Sequence, residues 1–402
     1  MEINGKKLAA TYCSLSHMEL QIRPGGIVYP CNRFLFRYRD RPEDFNVASH
    51  SVDYLLRDHE VMRTLRSNLD AGVRDPGCSK CFEEEDAKKD ASIRQIYNGY
   101  KQIMDGVDPE AVELRWIEFA TSNLCNLKCR MCFPLLSAKL RDDFIALYGE
   151  DDPTYSLQKT PELNLDNILV PSLRHIKFTG GEPLLIKEYK EVLRAAIKKL
   201  DTKQIHLNYS TNLMVAPDRE LIELWKHFKY VEFAVSLDGT GKFIEYQRNP
   251  SKWETIERVT KEFLQLHREF DARVGLRSTI TIYNILNVVD LTEWWISAVN
   301  EYYCEPFNEY SWFNPTHAHI PDHLSITVLP KEKKEIVMDL LWAKSHRFNK
   351  VQRSWDHFCR YMNSEDKTHL LPEFKRFTRI LDERRGEDFR QLCPEFADLM
   401  DD

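Results

Sequence analysis

Three thiols fall within eight residues in CNLKCRMC, at Cys125, Cys129 and Cys132, with gaps of three and two. A structural zinc ion and a complete iron-sulfur cluster both take four protein ligands. Three thiolates on a four-iron cubane leave one iron free to take a small molecule through an amine and a carboxylate. A second set, Cys13, Cys31, Cys78 and Cys81, supplies four thiols and could complete a metal site by itself. The chain has ten cysteines, and its start, MEINGKKLAA, lacks the apolar core and cleavage site of a secretory signal. Cytoplasmic thiols stay reduced, so metal or redox chemistry is expected rather than a disulfide framework.

These thiols need a scaffold. A chain of 402 residues with 43% hydrophobic composition can bury a sizeable core. No stretch approaches the ~18 apolar residues of a membrane span, so a soluble protein without a membrane partner is expected. The net charge of −7 speaks against a broad phosphate-binding surface, and nucleic acid is not an expected partner. From about residue 113 short β-rich runs appear at 114–120, 173–179, 205–211, 231–237 and 274–283, with another near 310–313. Helical patterns lie between them. LIKEYKEVLRAAIKKL puts Leu185, Tyr189, Val192, Leu193, Ala196, Ile197 and Leu200 on one face, and WETIERVTKEFLQL does so with Trp253, Ile256, Val259, Phe263 and Leu266. This rhythm predicts βαβ units and a parallel α/β sheet, open or curled toward a barrel. The triad follows the first of these strands, at the carboxyl end where parallel α/β folds keep their ligands. The tail LDERRGEDFRQLCPEF is charge-dense and reads as a solvated helix folded back on the sheet.

The C-x3-C-x2-C spacing after a strand resembles the signature of the radical S-adenosylmethionine (radical SAM) superfamily. Gly180, Gly181, Glu182 and Pro183 resemble the family's GGEP motif, whose backbone meets the amino group of the SAM methionine, and glycine permits that approach. Ser210, Thr211 and Asn212, and then Ser236, Leu237 and Asp238, are similar to ribose-contacting segments. Arg248 matches an arginine aimed at the SAM carboxylate, and Met131 stands where an aromatic residue usually packs near adenine. The resemblance implies a partial (β/α)6 TIM-like barrel over residues 111–330, a [4Fe-4S] cluster, SAM, and an electron donor such as flavodoxin or ferredoxin. The implied chemistry is reductive cleavage of SAM to a 5′-deoxyadenosyl radical that removes a hydrogen atom from a substrate.

In the first 110 residues, RPGG reads as a turn reversing two short strands, ELQI and IVYP, which brings Cys13 and Cys31 toward each other. The C-x12-G-x4-C piece resembles the opening of a SPASM domain or its one-cluster form, twitch. That implies an auxiliary iron-sulfur cluster, [4Fe-4S], on Cys13, Cys31, Cys78 and Cys81. Zinc would suit the same four thiols. The domain usually follows the radical SAM core; here it precedes it. Residues 331–402 are expected to form a helical extension. Cys304, Cys359 and Cys393 read as small buried hydrophobes. His317, His319 and His323 read as part of a polar loop at the open end of the sheet. By resemblance the substrate is a peptide or protein; the alternatives are dehydrogenation of a small polar metabolite and a non-enzymatic zinc-binding adaptor.

Overall fold

The computed structural model describes residues 2–36, 41–86, 92–99, 104, 107–302, 313–318, 321–345 and 352–401. They form two compact units. The first comprises residues 1–123, 158–209 and 218–231, and the second 124–157, 210–217 and 232–402.

The first unit opens with a small antiparallel pair, β1 (Glu2–Ile3) and β2 (Lys6–Lys7). Its sheet is built from β3 (Glu19–Ile22), β4 (Val28–Tyr29), β5 (Trp116–Phe119), β6 (His175–Phe178) and β7 (His206–Thr211), in the spatial order β4-β3-β5-β6-β7. β3 and β4 are the expected hairpin, antiparallel with Ile22 opposite Val28. Gly25 and Gly26 between them take φ of 73° and 77°, a region open to glycine at no steric cost. The remaining pairs are parallel: Gln21 faces Glu118, Glu118 faces Lys177, and Lys177 faces Asn208.

That register has a consequence for the expected boundary near residue 110. β3 lies beside β5, so the cysteine-rich segment shares one sheet with the strand that precedes the triad. Parallel neighbours need no sequence adjacency, only a long crossover, and nothing local in ELQI distinguishes a free hairpin from a sheet strand. Strand alternation then sorts the side chains. Leu20, Ile22, Ile117, Phe119, Ile176, Phe178, Leu207 and Tyr209 are buried on one face. The helix Glu188–Lys199 buries Tyr189, Val192, Leu193 and Ala196, and Tyr189 packs its ring on Phe178 and Phe119. The opposite face carries a polar row, Gln21, Glu118, Lys177 and Asn208, unusual in a parallel sheet covered on both sides.

The second unit contains β8 (Tyr230–Ser236, its first two residues belonging to the first unit), β9 (Ala272–Ile280) and β10 (Phe313–His317), in the order β10-β9-β8. β9 and β10 are parallel. The strand expected near 310–313 falls partly outside the described residues, and β10 begins at its last position. Helix Trp253–Gln265 buries Ile256, Val259 and Phe263, as its periodicity predicts. The C-terminal region is helical at Lys331–Ser345, Gln352–Met362 and Leu371–Arg385, the last ending at Gly386 with φ 65°. Among the described residues no helix is long and apolar enough to cross a membrane.

Candidate active site

In the second unit the triad loop is anchored by its backbone. The Lys128 N–H donates to the Asn249 carbonyl and the Arg130 N–H to the Gln247 carbonyl, at 2.6 and 2.9 Å. Arg248 therefore sits between two residues that are zipped to the cysteine loop. Its Nε donates to Asp238 Oδ2 at 2.5 Å and its Nη1 lies 3.7 Å from Cys129 Sγ. Asp238 is buried and also accepts the Thr279 N–H at 2.7 Å. Burial pulls the Arg248 guanidinium down, but Asp238 and Cys129 outweigh it and hold the group firmly charged.

None of the three cysteines is in a disulfide. Burial pushes Cys129 up to about 11 against the pull of Arg248, and pushes Cys132 up as well, with Cys129 and Cys125 adding to the effect. Cys125 is the better solvated by donors: the Leu127 N–H lies 3.5 Å from its sulfur and Asn212 Nδ2 3.7 Å. Asn212 Nδ2 also donates to Asn126 Oδ1 at 2.7 Å, and its own Oδ1 accepts the Met214 N–H at 3.0 Å. Between those two anchors Leu213 is buried at φ 64°, a strained value for a leucine. Neither Asn126 nor Leu213 was singled out by sequence, which carries no mark of a left-handed leucine. Met131 is half-buried, as are Ser210 and Ser236.

The GGEP segment belongs to the first unit. Gly180 has φ 106°, and a Cβ there would stand 2.6 Å from the Ser122 carbonyl oxygen, the same oxygen that accepts the Gly181 N–H at 2.9 Å. Glu182 is fully buried and accepts the Leu184 N–H at 3.2 Å, and Pro183 starts the short turn Pro183–Leu185. The Tyr189 hydroxyl lies 3.0 Å from the carbonyls of both Phe119 and Thr179, which ties the ends of β5 and β6 together beneath this segment.

The four N-terminal cysteines also lie in the first unit. Arg94 is buried and donates to the carbonyls of Ala10 and Tyr12, at 2.9 and 2.7 Å, while pairing with Glu85 at the end of the helix that carries Cys81. Burial holds the Cys31 thiol well above the usual range, and Glu19, Cys78, Cys13 and Cys81 act on it in turn. Burial also pushes Cys13 up to about 12, with Cys81 next. Cys31 thus lies within electrostatic reach of the other three thiols. Among the described residues no three His, Cys, Asp or Glu side chains stand close enough to hold a single metal ion.

Other expectations fall as follows. Cys393 is wholly buried, as a small hydrophobe would be, Cys359 is half-buried, and Cys304 lies outside the described residues. His319 also lies outside them. His323 is buried against Phe377 rather than set in an open polar loop, because the apolar faces of the C-terminal helix enclose it. The tail is corrected in part: Glu383, Arg384, Asp388 and Arg390 are exposed, but Asp382 and Glu387 pair with buried Arg130 and Arg385 pairs with buried Asp143.

Residues 119–290 match the Radical SAM superfamily family model. The chain carries a radical SAM superfamily domain and is an enzyme, whose cofactors are S-adenosylmethionine and a [4Fe-4S] cluster. The donor chemistry of the second unit fits that pair: three cysteines that form no disulfide, with the buried Arg248 guanidinium 3.7 Å from one of them. Among curated proteins, a GTP 3',8-cyclase of Synechocystis sp. is 31% identical over 133 residues, covering 33% of this chain and 36% of the relative. The chain spans about a third of the length of the curated relatives it matches. Solved structures that resemble part of it include Streptococcus suis SuiB bound to S-adenosylmethionine, at 13% identity, 58% of this chain, 45% of that chain and TM-score 0.35. AnSMEcpe with bound AdoMet is 14% identical, with 58% of this chain, 61% of that chain and TM-score 0.36.

Proposed function

We propose that this protein cleaves S-adenosylmethionine reductively and uses the resulting 5′-deoxyadenosyl radical to remove a hydrogen atom from a peptide or protein substrate. The observation that carries the reading is the Arg248 guanidinium between Asp238 and Cys129. Cys125, Cys129 and Cys132 would hold the cluster. Arg248 offers a fixed fork for the carboxylate of the bound cofactor, and Asp238 keeps that fork charged and oriented. Asn212 orders the Cys125 side of the loop and the adjoining turn. The Gly180–Gly181 backbone offers the close approach that an amino group needs. No side chain is asked to act as a base, because hydrogen-atom removal needs none.

The four N-terminal thiols suit an auxiliary iron-sulfur cluster by number and ligand type, and all four lie in the first unit. With the twitch resemblance, that set is the ground for a peptide or protein substrate. A second reading, dehydrogenation of a small polar metabolite, is favoured by the polar row Gln21, Glu118, Lys177 and Asn208, and by the partial likeness to a GTP 3',8-cyclase. Deuterium transfer decides between them. Label appearing in 5′-deoxyadenosine from a deuterated candidate peptide supports the first reading; transfer only from small metabolites supports the second.

A further inference from the structure

Arg130 lies between two of the triad cysteines, and its side chain is 0% exposed. An arginine so deep needs partners, and its own neighbourhood in sequence provides none. They come from the far end of the chain. Nη2 pairs with Asp382 Oδ1 at 2.5 Å and with Glu387 Oε2 at 2.6 Å. The guanidinium carbon stands 3.7 Å from the centroid of the Tyr246 ring, and Nε donates to the Tyr246 carbonyl at 3.2 Å. The Tyr246 hydroxyl donates to the same Asp382 oxygen at 2.7 Å. Glu387 is shared too: its other oxygen accepts Asn249 Nδ2 at 2.7 Å. Asp382 further accepts the Phe389 N–H at 2.8 Å, which fixes the turn after the helix Leu371–Arg385.

The consequence is geometric. Two carboxylates of the C-terminal segment grip the triad loop at Arg130 and the Arg248 segment at Tyr246 and Asn249. We propose that Arg130 is a positioning residue and that Asp382 and Glu387 belong to the cluster site, setting the cysteine loop and Arg248 in mutual register. This rests on the reading that the triad holds the SAM-binding cluster. It adds a function for the C-terminal extension, which then completes the site rather than decorating it. A buried arginine gripped by two carboxylates and an aromatic face has few alternative arrangements, so the loop it carries is fixed before any cofactor arrives.

The test uses the full chain with its clusters reconstituted under anaerobic conditions. Wild type, Glu387→Gln and the double variant Asp382→Asn/Glu387→Gln are compared for iron content, SAM affinity by equilibrium dialysis, and the change in the cluster's EPR spectrum on adding SAM. Both substitutions keep shape and remove charge. The double variant is expected to retain iron, lose SAM affinity tenfold or more, and show a broadened, weaker SAM response. Glu387→Gln, which leaves Asp382 on Arg130 should the double variant not fold, is expected to lose about threefold. SAM affinity and EPR response within experimental error of wild type in a folded variant would overturn the proposal. Wild-type protein whose cluster ignores SAM would instead remove the reading beneath it, so the two failures are distinguishable.

Discussion

Gly180→Ala tests the GGEP geometry most directly. The residue sits at φ 106°, where an alanine costs about 1–3 kcal/mol. The new methyl would also stand 2.6 Å from the Ser122 carbonyl oxygen, which is backbone and cannot rotate away. Moving it strains or breaks the 2.9 Å bond from the Gly181 N–H, worth about 1 kcal/mol. The expected loss is therefore about 2–4 kcal/mol. Gly149→Ala is the matched control: φ is 73° and nothing lies within 4 Å of the added carbon, so only the backbone cost of about 1–2 kcal/mol applies. Urea unfolding of both variants measures the difference, and SAM binding should fall in Gly180→Ala alone. If the two variants lose equal stability, or if Gly180→Ala binds SAM as wild type does, the close-approach reasoning is wrong.

Three further outcomes are expected. Cys129→Ala abolishes SAM cleavage while Cys78→Ala leaves uncoupled cleavage, measured as 5′-deoxyadenosine formed without substrate; equal total loss in both would mean that the N-terminal thiols serve folding instead. Arg248→Lys keeps a charge beside Asp238 but cannot span from that carboxylate to Cys129, so calorimetry should show a folded protein with SAM affinity down tenfold or more, whereas Arg248→Leu strands a buried carboxylate at a cost of about 3–5 kcal/mol. Burial depresses His323 from 6.5 to about 4, so the stability this neutral ring contributes is present above pH 6.5 and is lost as pH falls toward 4. The loss amounts to at most about 3 kcal/mol, and His323→Gln should flatten that part of the pH dependence in urea titrations.

Short-range spacing and periodicity made much of this protein readable. The gaps between Cys125, Cys129 and Cys132, the paired glycines at 180 and 181, the hairpin around RPGG and the two amphipathic helices are all local patterns, and each is set by the geometry of a turn, a strand or one helical face. The structure keeps them where the sequence puts them. Only the tertiary structure decided what those patterns meet. β3 joins β5 across a separation that no local signal spans, Asn212 reaches the Cys125 sulfur from a different strand end, and Asp382 finds Arg130 from 252 positions away. Charge-dense runs such as LDERRGED look the same whether water or a buried guanidinium will hold them, because an isolated sequence states a side chain's charge and not the dielectric around it. Chain folding supplies that second quantity, and with it the distinction between a solvated tail and a brace on the cysteine loop.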